Sequence, residues 1–322
     1  MDLRQLQALV AVADHGTFSA AADALSTVQS NVSAHIARLE RELGTTLVDR
    51  SAGRLTEEGH TVVERARRID SELEALVSDL AALQDQVTGR VRVGMIGTTA
   101  RWLVPLLLDA MLGRHPGVAL EVVDATSTSL EPQLLNGRLD LAVVQLPLPG
   151  ADLSTQPLFD EDLMLFVPPD HPLATADDIG VAQLADLELL LPPQGTSFRQ
   201  LLDIAANAAG VKLQSCAELD GIRLIASLAM AGHGSAVLPA SAIPPEMRDR
   251  VAAIRVPALP RRAVGVALRR RGLPSAASRA FLDILHQVVG ANAQEEHGLH
   301  LVTGVRYSSG ANGAVRRGTT SR

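Results

Sequence analysis

Between Val62 and Leu83 the chain places apolar residues at alternating steps of four and three: Val62, Ala66, Ile69, Leu73, Leu76, Leu80 and Leu83. This heptad seam runs without a slip for about three repeats, and only an α-helix lines such positions up on one narrow stripe. A helix cannot bury its own stripe, so the seam calls for a partner: the protein's own domains could cover it, but a narrow stripe on a linker-like helix more often implies a second copy of the chain. The seam also divides the sequence. Helical patterns precede it, and from "TGRVRVGMIG" the pattern changes to alternating β-branched residues.

Ahead of the seam, Leu3, Leu6, Leu9, Val10 and Ala13 recur at helical spacing, and Gly16 stops that helix. A second short helix follows an N-cap at Thr17 or Ser19, with Ala21, Ala22 and Leu25 on one small-residue face. After "STV", a tight helix-helix turn, "QSNVSAHIARLEREL" forms a third helix ended by Gly44. Val32, Ile36, Leu39 and Leu43 make its inward stripe, which leaves Ser30, Ala34, Ala37 and Arg41 opposite and Asn31, Ser33 and Arg38 on the shoulders. In "TTLVDRSAGRLTEEG", Leu47 and Val48 pair with Arg54 and Leu55 across "SAG" to make a wing that carries Arg50 and Arg54. Thr56, followed by Glu57, Glu58 and Gly59, caps the long helix.

Behind the seam, strand-like and helical runs alternate: Val91 to Ile96, Leu103 to Leu112, Ala119 to Val123, Leu130 to Leu135, Leu139 to Val144. The alternation predicts an α/β domain with a largely parallel sheet. A second section opens at "LMLFVPP" and repeats the pattern through "SAVLP", and "AVGVALRR" with "ASRAFLDILHQVV" returns the chain to the first lobe. From Gly290 onward the sequence is rich in Gly, Ser, Asn and Arg without periodicity, which predicts a disordered tail over 291–322.

Composition excludes several classes. Apolar runs such as Leu103 to Leu108 are far too short to span a bilayer, and the N-terminus lacks a basic leader, so a cytoplasmic location is expected. The single cysteine, Cys216, rules out an internal disulfide and a cysteine zinc cluster, and is expected to be a small core residue. No metal or cofactor is expected. The formal net charge of −7 gives no hint of nucleic acid binding, so any DNA surface must be local.

The N-terminal stretch from Leu3 to Gly59 resembles, almost position for position, the N-terminal motif of LysR-type transcriptional regulators. The resemblance is carried by Phe18, the Ala21-Ala22 pair, Leu25, Gln29, Ser33, Ile36, Leu39-Glu40, Leu43-Gly44, Leu47, Arg50, Leu55-Thr56 and Gly59. It continues in "LNGRLDLAV", "DHPLA" and "AGHGSAVLP", and it departs at Thr27-Val28 and at Ala34. The resemblance implies an α-helical winged helix-turn-helix domain over 1–58, then a long linker and dimerisation helix over 59–88. A two-lobed α/β effector-binding domain, like the periplasmic binding proteins, follows over 89–290, with lobe I near 89–162 and 266–290 and lobe II near 163–265. It implies a regulator that binds a promoter dyad of T-N11-A character as a homodimer or homotetramer, with RNA polymerase as a further candidate partner.

In a helix-turn-helix the start of the second helix enters the major groove. Here that places Gln29, Ser30, Asn31, Ser33, Ala34, His35 and Arg38 against base edges and backbone, with Arg50 and Arg54 on phosphates or in the minor groove. Through residue 55, Arg4, Arg38, Arg41, Arg50 and Arg54 face the acids Asp2, Asp14, Asp23, Glu40, Glu42 and Asp49, so one copy is expected to bind weakly. In the α/β domain, ligands sit beyond the carboxyl ends of strands. Thr98, Thr99, Thr126, Ser127, Gln145, Thr196 and Ser197 fall at such places, and hydroxyls beside helix amides favour a small carboxylate-bearing metabolite. Arg101 and His233 are candidate helpers, and Trp102 is expected to pack the lobe. Two rival readings use the same domain. An enzyme would use Ser197, His233 and Asp220, yet no nucleophile elbow, phosphate loop or metal-spaced cluster accompanies them. A solute-binding protein is opposed by the missing secretion signal and by residues 1–87.

Overall fold

The computed structural model describes residues 1–148, 150–293 and 298–302. Three helices open the chain: α1 (Leu3–His15), α2 (Phe18–Ala24) and α3 (Gln29–Leu43). Asp2 and Gln5 cap α1 reciprocally, and Thr17, not Ser19, caps α2. Leu9, Val32, Ile36, Leu39 and Leu47 are fully buried together, and each contributes roughly 1.5–3 kcal/mol relative to an exposed side chain. The wing pairs β1 (Val48–Asp49) with β2 (Arg54–Leu55), one residue further along the first strand than the sequence suggested, because Leu47 turns into the core instead. Gly59 permits this packing: a Cβ there would meet the Leu47 carbonyl oxygen at 2.1 Å.

Thr56 caps α4 (Glu57–Ala82) as expected, through its hydroxyl to the Gly59 amide. The heptad seam does not have a single fate. Ala66 and its neighbour Val63 are buried in the N-terminal core and Val62 is half-buried against it, so the first turns are covered within the chain. Ile69, Leu73, Leu76 and Leu80 are 39%, 38%, 55% and 56% exposed. Leu83 lies one residue beyond the last helical turn, as the C-cap.

Lobe I is a six-stranded sheet in the order β13-β6-β12-β5-β3-β4. Its strands are β3 (Gly89–Met95), β4 (Val118–Asp124), β5 (Leu141–Gln145), β6 (Leu153–Glu161), β12 (Arg262–Arg269) and β13 (Leu299–Leu301), flanked by α5 (Gly97–Arg114), α6 (Ser127–Leu135) and α9 (Ala276–Asn292). The expectation of a largely parallel sheet is corrected. Only β3, β4 and β5 run parallel, while β12, β6 and β13 are antiparallel. The chain leaves lobe I along β6 and returns along β12, so neither connection passes through a crossover helix, as a parallel pair would require.

Lobe II packs the antiparallel strands β10 (Ala236–Pro239), β7 (Leu163–Val167) and β11 (Ala252–Arg255) beside the parallel pair β8 (Glu188–Leu191) and β9 (Gln214–Glu218), with α7 (Ser197–Ala208) and α8 (Ile222–Met230) against them. Three further expectations are corrected. The return to lobe I begins at Arg262, before the proposed boundary at 266. The tail is not structureless from 291: Leu299–Leu301 adds the sixth strand, and the remainder, 303–322, lies outside the described residues. Cys216 is exposed, not core: it is the unpaired residue between the pairs Leu189–Ser215 and Leu190–Ala217, in a strand whose residues Gln214 and Ser215 are exposed as well.

Candidate functional site

Two surfaces carry the predicted residues. The first is the start of α3. Its N-cap is Val28, which offers no side-chain acceptor, so no side chain caps the first turn. Gln29, Ser30, Asn31, Ala34 and Arg38 are exposed there, and Ser33 and His35 are half-buried. The departure at Thr27 has a consequence, since its hydroxyl accepts from the Asn31 side-chain amide at 3.0 Å and draws Asn31 back onto the turn. Arg50 donates to the Ser33 hydroxyl at 3.2 Å, with its guanidinium 5.6 Å from the centre of the Phe18 ring. The wing arginine thus folds back over the helix in the free chain, while Arg54 remains exposed on β2. Hydrogen bonds from Ser51 and Ala52, foremost the Ser51 hydroxyl, hold the Asp49 carboxyl below its ordinary range and fix the wing turn. Glu40, noted in the sequence as part of the Leu39-Glu40 step and among the acids of the head, has a role the sequence did not show: its carboxylate accepts from the amides of Leu47 at 2.8 Å and Val48 at 3.2 Å and so ties α3 to the wing.

The second surface is a cavity of about 380 Å³ between the lobes. It brings together Thr98, Thr126, Ser127, Gln145, Thr196 and Ser197. Thr99 does not join them: it is fully buried, and its hydroxyl has no hydrogen-bond partner among the described residues. Four helices, α5, α6, α7 and α8, begin at this cavity. Thr126 and Thr196 cap α6 and α7, whereas α5 and α8 start at Ile96 and Gly221 with no side-chain cap. Free amides and the positive ends of helix dipoles therefore converge on one space. The Ser127 hydroxyl accepts from the Gln145 amide at 3.0 Å, and the Gln145 side chain donates across the cleft to the Ser197 carbonyl at 3.0 Å.

The floor holds a residue that the sequence did not reveal. Arg262, 2% exposed, lines the cavity from the first position of β12. It donates to the fully buried Glu161 through Nε and Nη2, and to the Thr98 hydroxyl at 2.8 Å, and it lies 5.8 Å from the centre of the Phe198 ring. Glu161 also accepts from the Ser241 amide at 2.8 Å. An arginine beginning an alternating run, "RAVGVAL", was the available signal. At the mouth, Asp124 of lobe I pairs with Arg223 of lobe II at 2.8 Å. Gly97 leaves room for that pair, because a Cβ there would lie 2.9 Å from the Asp124 carboxylate.

The helpers lie elsewhere. Arg101 donates to the Ser241 carbonyl at 2.7 Å and braces the lobes outside the cavity. His233 is exposed and does not line the cavity, so Ser197, His233 and Asp220 form no catalytic group. Trp102 packs edge-on against Phe159 with ring centres 5.7 Å apart, which is the packing role expected of it.

A winged helical head, a long helix with an unpaired seam and a two-lobed α/β domain with an inter-lobe cavity together define a DNA-binding regulator controlled by an effector domain. Residues 3–60 match the family model for the bacterial regulatory helix-turn-helix protein, lysR family, and residues 84–290 match the LysR substrate binding domain. The chain belongs to the LysR family of transcriptional regulators, not to an enzyme family. It is 35% identical over 308 residues, 92% of this chain and 96% of the other, to a protein of Mycobacterium leprae described as "Probable hydrogen peroxide-inducible genes activator". Among solved structures it is similar to full-length OxyR from Pseudomonas aeruginosa, in a cysteine-to-aspartate variant, with a TM-score of 0.71 and 27% identity over 90% of this chain and 94% of that one. It is also similar to full-length CbnR complexed with its target DNA, with a TM-score of 0.65 and 26% identity over 91% of this chain and 100% of that one. No helix among the described residues is long and apolar enough to cross a membrane.

Proposed function

We propose that this regulator acts in the cytoplasm as a homodimer, assembling further to a tetramer, on a promoter dyad, and that a small carboxylate-bearing metabolite in the inter-lobe cavity controls it. The observation that carries the ligand class is the convergence of four helix N-termini with buried Arg262 and the Ser127 and Thr98 hydroxyls on one 380 Å³ space. Two of the nearby acids are already committed, Glu161 to Arg262 and Asp124 to Arg223, so neither opposes an anion with its full charge. In the head, Gln29, Ser30, Asn31, Ser33, Ala34, His35 and Arg38 read the major groove, and Arg50 and Arg54 meet the backbone. Contact with RNA polymerase would follow from promoter binding.

A second reading, response to peroxide, is favoured by the description of the Mycobacterium leprae relative. With a single cysteine, exposed on β9 and outside the cavity, it would act through Cys216, oxidised by peroxide to a sulfenic acid with loss of hydroxide or joined to the Cys216 of a second copy as a disulfide with loss of water. One experiment separates the two. Thermal unfolding and promoter-duplex anisotropy are followed with a panel of small mono- and dicarboxylates, with their neutral amides, and with hydrogen peroxide on the native chain and on Cys216→Ser. The expected result is stabilisation by at least one acid, about 2.7 kcal/mol at a concentration 100 times its dissociation constant, with no shift from its amide. A peroxide response that Cys216→Ser abolishes, with no acid effective, would replace the carboxylate reading.

A further inference from the structure

The cavity and the DNA-reading head are joined by one short element. The first turn of α6, Ser127 to Ser129, lines the inter-lobe cavity. Its nine residues make a rod about 13 Å long at the helical rise. Its far end meets the rest of the regulator. The Leu135 carbonyl accepts from Arg68 of α4 at 2.7 Å, and Arg138, three residues on, pairs with Asp14 in the last turn of α1 at 2.9 Å. Asp14 also holds Arg67 of α4, so a single carboxylate of the head ties together α1, α4 and lobe I.

The joint around this carboxylate is polar and loosely filled. A cavity of about 520 Å³ separates α1 and α4 from the lobe I sheet, lined by Gln7, Asp14, Asp70, Arg92 and Arg138 among others. The Asp14–Arg138 pair and the Arg92–Glu74 pair, 2.9 Å between β3 and α4, cross it, while Gln7 donates to Asp70 at 3.4 Å on the α1–α4 side. Both partners of the Asp14–Arg138 pair are nearly half exposed, at 40% and 45%, and such a pair costs little to open. The docked arrangement is also imperfect, since the buried Nε of Arg68 has no acceptor among the described residues. A close-packed apolar interface would resist rearrangement, whereas a gap bridged by exchangeable pairs has more than one arrangement of similar energy.

We infer that α6 is the coupling element of this regulator: charge arriving at its cavity end is transmitted to the Asp14–Arg138 clasp, which sets the position of the head on lobe I. The inference rests on reading the cavity as the effector site, but its test needs no effector. Differential interaction at the first turn biases the clasp, and by linkage the clasp biases the cavity.

The test fixes a negative charge at the cavity end by Ser129→Asp, an exposed position in the first turn of α6. Affinity for a dyad promoter duplex is measured in full-length protein with and without Arg138→Ala, together with hydrogen exchange at the end of α1. Ser129→Asp is expected to change duplex affinity by about fivefold in the native background and to leave it unchanged when Arg138 is alanine. Arg138→Lys, which keeps a cation facing Asp14 and leaves the Asp14–Arg67 pair in place, is expected to retain the response, which separates loss of the clasp from damage to the fold. Equal effects of Ser129→Asp in both backgrounds, or no effect in the native one, overturn the inference. Those outcomes leave the carboxylate reading intact, because that reading is tested by ligand titration alone.

Discussion

The start of α3 and the inter-lobe cavity both present helix N-termini to a ligand, yet they are built in opposite ways. At α3 one helix stands alone, its first turn uncapped by any side chain, its polar face open to solvent, and Arg50 on Ser33 its main brace. In the cavity four N-termini face one another over a floor in which Arg262 and Glu161 are both almost wholly buried. DNA brings its own dense charge and fixed geometry, so its reader can remain open and weak. A small ligand brings neither, so its site must be enclosed and preorganised within one chain. Affinity at the head then comes from repetition, and affinity in the cavity from burial.

The sharpest way to break this contrast is to remove the repetition. Leu76 and Leu80 are more than half exposed on the lower half of α4 among the described residues. Leu76→Asp with Leu80→Asp is expected to yield a monomer by sedimentation and to weaken dyad binding by about 10²–10⁴-fold, the range by which linked sites exceed single ones. Carboxylate binding in the cavity is expected to survive. A variant that stays dimeric would mean that the lobes, not the seam, hold the copies together.

Removing the burial tests the other side. Arg262→Ala leaves Glu161, which is fully buried, without its cation, and breaking a pair of this kind is expected to cost about 3–5 kcal/mol, read as a lower unfolding midpoint of the α/β domain. Arg262→Met combined with Glu161→Gln removes both charges and is expected to recover most of that loss while still abolishing carboxylate binding. If the double variant binds the acid as well as the native chain does, Arg262 serves the fold alone and the helix N-termini carry the ligand.

How far each region could be read from sequence follows from the same difference. Most of the head was legible, because its stabilising contacts lie within a few turns of helix and leave a local periodicity: Val32, Ile36 and Leu39 are fully buried where their spacing put them, whereas Leu43, at the end of the same stripe, is 41% exposed. The hydroxyls of the cavity were legible for a related reason, since Thr126 and Thr196 sit at helix starts that the sequence marks. Arg262 was not, because its partners Glu161 and Thr98 lie 101 and 164 residues away, and only the antiparallel return of β12 beside β6 sets Arg262 opposite Glu161. The strand Leu299–Leu301 was hidden for the same reason: three residues in a composition-biased tail acquire order only by pairing with the edge of β6. Cys216 misled because cysteine is commonly buried, whereas here it lies on β9, an edge strand exposed along most of its length.

The smallest expected effect tests how open the reader is. Arg50 has two roles available: bracing Ser33 from above Phe18 in the free chain, and neutralising a phosphate in the complex. The brace is a single hydrogen bond and one exposed cation–π contact, so Arg50→Ala is expected to cost about 1 kcal/mol or less of head stability. Its signature on DNA is more telling. If Arg50 releases Ser33 to reach a phosphate, Arg50→Ala lowers the slope of log affinity against log salt by about 0.9. Ser33→Ala, which removes only the brace and a groove contact, leaves that slope unchanged. Anisotropy titrations across a salt series are expected to give this split. Equal slopes for both variants would mean that Arg50 stays docked on Ser33 in the complex, and the head would then be more preorganised, and closer in construction to the cavity, than its free geometry indicates.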